Sequence, residues 1–301
     1  MVAGAAASVV RDVMTIARTR VWALTATRPF SIGVAMCAAL AVWPAERAGA
    51  ADWPLRGSLA PQQPAYARWD GAQIGVEVGW GNFRNDFGNS TSPLVAFILR
   101  NTTAEAEFAP STWTTLSSNT TNGPVFGGYI GYNMQWDQLV LGVDLGYKYA
   151  NIATGANDSI SRQFTTSSQF QETVSIDARA QMKLMDYATL RGRAGYAWGQ
   201  FLPYAFVGIA AGRFNYGTTV TVHHTGTPIP PAPGAPFDVT DSASTGKTNA
   251  IVGGVAAGLG IDWAVTPGMY LRAEWEYVAF APVNGSRSNI NTGKVGAGAR
   301  F

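Results

Sequence analysis

Charge is scarce in this sequence, and so are cysteine and histidine. Asp, Glu, Lys and Arg make up 13% of the 301 residues, about half of the roughly 25% typical of soluble domains. The single cysteine excludes a disulfide-stapled module and the cysteine-based zinc modules. The net charge of +2, from 21 basic and 19 acidic residues, lacks the cationic excess of nucleic-acid-binding proteins, so we expect no nucleic-acid partner.

Residues 1–50 have the features of a secretory signal peptide. Four arginines lie within residues 1–30, an uncharged apolar segment follows at 31–43, and Ala48-Gly49-Ala50 completes the pattern. A basic region, an apolar region of about 7–15 residues and an A-x-A site define such a signal. The apolar run is shorter than the ~20 residues of a transmembrane helix. We therefore predict cleavage before Ala51 and export of the protein.

Cleavage would remove five basic and two acidic residues together with Cys37, leaving 16 basic and 17 acidic residues. Met14 is an alternative start within the long basic region. We predict a periplasmic N-terminal segment at 51–70 and a barrel domain at 71–301.

Period-two alternation recurs along the predicted mature chain in segments of roughly ten residues. Between Leu139 and Tyr149 the odd positions hold only Leu, Val or Tyr, whereas four of the five even positions hold glycine or charge. Such alternation predicts half-buried strands. The predicted strands are 72–80, 125–136, 139–149, 187–198, 203–214, 249–263, 269–280 and 290–301.

The predicted connectors alternate between short and long. Short connectors span 136–138, 199–202 and 264–268, and long ones span 81–124, 150–186, 215–248 and 281–289. This asymmetry is typical of transmembrane barrels. We predict an all-β fold: an eight-stranded antiparallel up-and-down transmembrane β-barrel with short periplasmic turns and long extracellular loops. The apolar run at 94–99 predicts a small local core within the first loop. A short helix over the barrel mouth and a contact patch for a partner or for lipid A are the alternatives.

The two faces of the strands predict which side meets lipid. The apolar faces carry no charge, and aromatic residues collect at strand ends, as in membrane barrels. These residues are Trp136, Trp198, Trp263 and Phe301 at one rim and Trp80, Tyr147, Tyr149 and Phe214 at the other. A secreted soluble lipocalin-like barrel, with the apolar face inside, remains the alternative.

The polar faces carry nearly balanced charges. An eight-stranded barrel is just wide enough for its own side chains to fill, so we predict an internal salt-bridge network that plugs the lumen. A narrow porin is the alternative. The predicted network comprises Glu77, Asp144, Lys148, Arg191, Arg193, Asp262, Arg272, Glu274, Glu276, Lys294 and Arg300.

Four segments resemble a known family. They are Thr-Leu-Arg-Gly-Arg-Ala-Gly-Tyr-Ala at 189–197, Phe-Leu-Pro-Tyr at 201–204, Leu-Arg-Ala-Glu-Trp-Glu-Tyr at 271–277 and Gly-Ala-Gly-Ala-Arg-Phe at 296–301. The chain over roughly 70–301 resembles the small outer-membrane β-barrel proteins of alphaproteobacteria, which include surface antigens and haem-binding, porin-like proteins. The resemblance implies a barrel without a shared catalytic set, and it implies that Phe301 is a signal for the barrel-assembly machinery.

His223 and His224 form the only histidine pair, beside a proline-rich run at 227–236. A surface histidine pair suits haem iron or a transition metal, so the pair is a candidate haem or metal site. We predict no dedicated metal site.

The Gly-Lys-Thr at 246–248 lacks the glycine and helix of a phosphate-binding loop. A hydrolase triad combines a serine, a histidine and an acid. Residues of these types lie near the histidine pair, namely Asp238, Asp241, Ser242 and Ser244. The sequence gives no evidence for the geometry of a triad, and we predict no enzyme activity.

These observations predict an outer-membrane surface protein that supports envelope integrity and makes contacts through its loops. The expected partners are outer-membrane lipid, lipopolysaccharide and the barrel-assembly machinery, with a host or small-molecule ligand at the extracellular loops. A narrow porin or a haem receptor is the alternative function.

Overall fold

The computed structural model describes residues 67–113 and 116–301. The predicted signal peptide at 1–50 and most of the predicted periplasmic segment at 51–70 lie outside the described residues. Within the described part of the chain, no helix has the length and apolar character needed to cross a membrane.

Over the described residues, eight antiparallel strands form one closed barrel in which each strand pairs with the next and the last pairs with the first. The strands are β1 (Gly71–Asp86), β2 (Ser118–Trp136), β3 (Leu139–Thr165), β4 (Phe170–Tyr196), β5 (Phe201–Pro228), β6 (Phe237–Thr266), β7 (Met269–Phe280) and β8 (Arg287–Arg300). Between β1 and β2 lie helix α1 (Ser92–Ile98), helix α2 (Thr103–Phe108) and a 3-10 turn (Pro110–Thr112). The predicted up-and-down barrel is confirmed.

The outer surface of the barrel is a broad apolar belt. Val207 is 67% exposed and Ile251 80% exposed, whereas charged side chains within the belt, such as Arg191 of β4 and Asp262 of β6, are buried. An apolar exterior around a charged interior is the arrangement of a membrane barrel. The lipocalin-like alternative is wrong for this chain, since it requires the opposite arrangement.

Four strands are far longer than predicted. β3 to β6 contain 27, 27, 28 and 30 residues, whereas about 9–11 tilted residues cross a membrane. The predicted loops at 150–186 and 215–248 are therefore wrong: most of both segments is strand, and the true loops are 166–169 and 229–236. The loop predicted at 81–124 shortens to 87–117. We call the part of β3–β6 beyond the apolar belt the upper sheet.

A row of irregularities separates the apolar belt from the upper sheet. The register shifts between Tyr149 and Ile152, between Leu184 and Asp186, and between Phe214 and Tyr216. The positions at these shifts are Asn151, Met185, Asn215 and Asn249, which we call the bulge row. Asn151 and Asn249 adopt positive φ angles of 50° and 55°, a conformation that asparagine tolerates better than most residues.

The first loop packs against the inner face of the upper sheet. Val95, Leu99 and Leu116 are buried in one cluster with Ile176 and Val222. The apolar run at 94–99 is therefore a helix joined to the sheet, and the prediction of a separate core within the loop is wrong.

The first loop is also tied to the turn between β3 and β4 by polar contacts. The Ser167 hydroxyl and backbone N–H donate to the Glu107 carboxylate. These bonds hold the pKa of Glu107 below its ordinary value. Because a lowered carboxylate pKa stabilises the charged form, this contact weakens as the pH falls through that pKa.

Leu99→Ala is expected to loosen the first loop. Leu99 is 2% exposed, and truncating a buried leucine costs about 2–5 kcal/mol. Faster proteolysis and hydrogen exchange within 87–117 are the expected readouts, while the heat-modifiable migration of the barrel is retained. Phe97→Ala, at a side chain 59% exposed, is the control; equal protection of the loop in both variants would contradict the packing described here.

Candidate functional site

The barrel interior holds ten of the eleven charged residues predicted for the lumen. Within the described part of the chain, each of the ten is at most 5% exposed, and the set contains five acids and five bases. They are Glu77, Asp144, Lys148, Arg191, Arg193, Asp262, Arg272, Glu274, Glu276 and Lys294. The alternation of the strands places them there, because inward positions on β1, β3, β4, β6, β7 and β8 carry the charge.

The upper half of this network is built around two glutamates of β7. The Lys294 Nζ atom lies 2.7 Å from Glu274 Oε1, 3.1 Å from Glu276 Oε2 and 3.2 Å from Glu77 Oε1. Lys148 Nζ lies 3.2 Å from Glu276 Oε2 and 3.7 Å from Glu77 Oε1. The Tyr187 hydroxyl donates to Glu276 Oε1 at 3.0 Å. Each lysine therefore compensates carboxylates from more than one strand.

Arg191 of β4 joins the two halves of the network. Its Nη1 atom lies 2.6 Å from Glu274 Oε1 and 2.9 Å from Glu276 Oε2. Its Nη2 atom lies 3.5 Å from Asp144 Oδ2, and that oxygen also lies 3.5 Å from Arg272 Nη1 and 3.7 Å from Arg193 Nη1. Three guanidinium groups thus surround one carboxylate oxygen at the centre of the barrel.

The lower half is built around Asp262 of β6. Arg272 binds it in bidentate fashion, with Nε–Oδ1 at 2.8 Å and Nη2–Oδ2 at 3.0 Å, and Arg193 Nη1 adds a bond of 3.1 Å. Fork-like arginine–carboxylate pairs fix geometry as well as charge. The Arg272 guanidinium also lies 4.0 Å from the ring centroid of Tyr129, and aromatic faces favour such cations.

Arg300 does not join the network, which corrects the prediction for this residue. Its Nε donates to the Pro267 carbonyl at 2.7 Å, and its guanidinium lies 4.5 Å from the Trp69 ring. Within the described residues no carboxylate forms a salt bridge with it. Arg300 is the last residue of β8, at the rim rather than inside the barrel. Its departure leaves the ten-residue network formally neutral.

Aromatic residues cover both ends of the network. At the short-turn end Trp69 is 1% exposed, meets the Tyr270 ring edge-on at 5.8 Å and accepts a hydrogen bond from Asn133. At the other end Phe214 contacts Phe83 and Phe280, with centroid distances of 6.3 and 4.9 Å. The prediction that Phe214 belongs to the outer aromatic rim is wrong. Sequence reasoning missed both covers.

The two histidines lie in β5 rather than in a loop, which corrects their predicted setting. Neighbouring residues of a strand point to opposite faces. His223 faces outward and bonds Asp238 Oδ1 at 2.8 Å, whereas His224 is buried and bonds Glu172 Oε2 at 2.8 Å. The pair therefore does not converge on one ion. Sequence reasoning placed Asp238 near the histidines but missed Glu172 as the partner of His224.

Only His224 borders a cavity of about 350 Å³ between the first loop and the upper sheet, together with Glu172, Leu99 and Phe237. In the segments that the structure describes, no group of three or more His, Cys, Asp or Glu residues is arranged to hold a metal ion.

Residues 55–301 match the model of the outer membrane protein beta-barrel domain family. The chain belongs to this family. Its apolar belt therefore faces the lipid of the bacterial outer membrane. No curated protein matches the sequence.

Solved structures with similar topology share little sequence. Ail, the attachment invasion locus protein of Yersinia pestis, is 12% identical, with 77% of this chain and 100% of that chain covered and a TM-score of 0.30. Neisserial surface protein A is 13% identical, with coverages of 77% and 100% and a TM-score of 0.31. OprG from Pseudomonas aeruginosa is 13% identical, with coverages of 77% and 97% and a TM-score of 0.29.

Glu276→Gln is expected to destabilise the barrel strongly. Glu276 is fully buried and contacts Lys148, Arg191 and Lys294, so its neutralisation leaves buried cations undercompensated, at a cost of about 3–5 kcal/mol. The measurement is the free energy of unfolding in urea for protein in detergent micelles. Asp177→Asn, at an exposed carboxylate of β4, is the control. Equal stability of the two variants would show that the network contributes no net stabilisation.

Proposed function

We propose that this protein is a non-enzymatic surface protein of the outer membrane. Its barrel is closed to solutes and supports the upper sheet, a role that we call the closed brace. The upper sheet makes contacts outside the cell. The observation that carries the proposal is the neutral ten-residue network covered by aromatic side chains at both ends. A barrel of eight strands has an interior that side chains can fill.

The closed lumen is favoured over the narrow porin by the direction of the charged side chains. A conducting pore needs a continuous path of water, whereas here Arg191, Asp144 and Glu274 meet across the barrel axis. The Phe83, Phe214 and Phe280 side chains then form an apolar layer above the charges. The charge network and the apolar layer therefore both obstruct the lumen, and a solute would have to displace both.

The upper sheet supports a role at the cell surface. Its strands continue beyond the apolar belt by about as many residues as a membrane crossing requires, and its inner face is filled by the first loop. This architecture holds the tips at 166–169 and 229–236 on a packed support. We propose that these tips contact a host molecule or a small ligand, in keeping with the resemblance to alphaproteobacterial surface antigens.

Phe301 is 82% exposed at the edge of the belt, and its backbone N–H bonds the Ala72 carbonyl. An exposed aromatic at the end of a paired strand supports the proposed recognition of Phe301 by the barrel-assembly machinery.

Single-channel recording tests the closed lumen. Wild-type protein refolded into planar bilayers is expected to give no discrete conductance steps. A triple variant with alanine at Phe83, Phe214 and Phe280 is also expected to stay closed, because the charge network remains below the missing layer. Repeated, stable open steps from the wild type would overturn the closed-brace proposal and favour a porin.

Haem binding is the second candidate function, and it is favoured by the setting of His223. Its side chain is 46% exposed, and Asp238 bonds its Nε2 atom. Metal-ligating histidines commonly have their second ring nitrogen bonded to a carboxylate, so His223 would ligate the iron of a bound haem while Asp238 would orient its ring. His224 is buried against Glu172 and is less suited.

Haemin titration followed by absorbance tests this second candidate. His223→Ala is expected to lose binding, and Asp238→Asn to weaken it by about 10–100-fold. His224→Ala is the matched control and is expected to bind as the wild type does. Haemin affinity that is the same in His223→Ala and in the wild type would rule out the His223 site.

A further inference from the structure

Glu172 of β4 differs from the other buried carboxylates in the described part of the chain. Those carboxylates each form a salt bridge with an arginine or a lysine, and they are Glu77, Asp144, Asp186, Asp262, Glu274 and Glu276. Glu172 is 4% exposed, and the only salt bridge that it forms within the described residues is to His224 Nε2 at 2.8 Å. A histidine is charged only when it is protonated, so Glu172 has no permanently charged partner there.

Glu172 and His224 line the cavity of about 350 Å³ between the first loop and the upper sheet. Leu99 of the first loop and Phe237 and Val239 of β6 give the cavity apolar walls, and the polar residues 101–103 complete the first-loop side. Val239 is 47% exposed, so the cavity is open to solvent beside β6. Its volume lies in the range of about 300–1,000 Å³ that is typical of small-molecule sites.

Asp241 of β6 is the second carboxylate on the cavity wall. It is exposed and forms no salt bridge or side-chain hydrogen bond within the described part of the chain. Among the described residues, no lysine or arginine lines the cavity. Arg100 is next to the lining residues in the sequence, but its guanidinium donates to the Phe97 carbonyl at 2.8 Å and lies 4.2 Å from the Phe97 ring centroid. The cavity therefore has two carboxylates and favours a cationic ligand.

The two carboxylates lie at opposite ends of the cavity. Glu172 is in one cross-strand row with Phe237 of β6, and Asp241 lies four residues further along β6. Each strand residue rises by about 3.3 Å, so the two rows are about 13 Å apart along the strands. His224 and Val239 occupy the row between them. This separation is too large for one ammonium group to bond both carboxylates, whereas the two ends of a linear diamine can reach one each.

We propose that the cavity binds a linear diamine, with one ammonium group at Glu172 and the other at Asp241. Ammonium groups donate charge-assisted hydrogen bonds to carboxylates, and such bonds are stronger than neutral ones. The alkyl chain between the ammonium groups contacts Leu99 and Val239, which removes apolar surface from water. The Phe237 ring lies at the Glu172 end, where an aromatic face favours a cation. A divalent metal ion fits less well, because such ions need more oxygen ligands than two separated carboxylates provide.

The inference deepens the proposed surface function, on which it rests, by naming a ligand class for the upper sheet. The cavity lies above the apolar layer of Phe83, Phe214 and Phe280, so diamine binding does not depend on the state of the lumen. Conductance steps from the wild type would overturn the closed brace alone, and a lack of diamine binding would overturn this inference alone.

Isothermal titration calorimetry with hexamethylenediamine tests the inference on the full chain in uncharged detergent micelles. Glu172→Gln is expected to bind the diamine about 10–100-fold more weakly, because a buried charge-assisted hydrogen bond is lost. Asp241→Asn is expected to bind it about 2–5-fold more weakly, since an exposed ion pair contributes less. Hexylamine, which has one ammonium group, is expected to bind the wild type and Asp241→Asn equally. A loss of hexylamine affinity in Asp241→Asn as large as the loss of diamine affinity would overturn the two-ended assignment.

Asp238→Asn is the matched control. Asp238 lies on the same strand as Asp241, and the substitution removes the same charge, but its carboxylate bonds the outward-facing His223. The diamine affinity of this variant is expected to equal that of the wild type. Equal diamine affinity of Glu172→Gln and Asp238→Asn would overturn the inference.

Val239→Phe separates binding in the cavity from attraction to surface charge. This variant keeps every charge but fills the middle of the cavity, so it is expected to bind neither amine. Heat-modifiable migration verifies the fold of each variant. Displacement of the diamine from the wild type by millimolar calcium at constant ionic strength would identify a metal site instead and overturn the diamine assignment.

Discussion

The fold depends on one constraint: charges inside a closed barrel must compensate one another, because neither lipid nor water is available to do so. Buried ions are costly unless they are paired and hydrogen-bonded. Here Arg191 contacts Asp144, Glu274 and Glu276 at once, so four carboxylate and guanidinium groups from three strands share one centre. A pairing of this kind fixes the register of β3, β4 and β7 and makes the barrel interior a structural element.

The bulge row is the second determinant of the fold, because the apolar face of the sheet changes there from pointing outward to pointing inward. On β4 the apolar residues keep even numbers from Val174 to Leu190, yet Ile176 and Leu184 are buried whereas Leu190 faces lipid. One extra residue at Met185 exchanges the faces of everything beyond it. The even-numbered apolar residues of β4 thus face lipid below the row and form a water-excluding core above it.

The bulge row also determines how much of the structure could be predicted from the sequence. Strand number, pairing order and inward charges could be predicted, because alternation reports them directly. Strand length could not, since four predicted strands end within about two residues of the bulge row, where Ser- and Thr-rich outward positions resemble loop sequence. The direction of His224 also needed the structure, as did the position of Arg300, because a rim residue and a lumen residue share the same alternation phase.

Pairing partners are the part of the site that sequence alone cannot supply. Glu77 forms its shortest salt bridge with Lys294 of β8, which neighbours β1 only because the barrel closes. Lys148 of β3 forms its shortest salt bridge with Glu276 of β7, across the lumen. A side chain that reaches across a lumen meets whatever the shear of the barrel brings opposite it. Balanced charge could be inferred from composition, but the compact neutral centre arises only because closure brings β7 and β8 back beside β1.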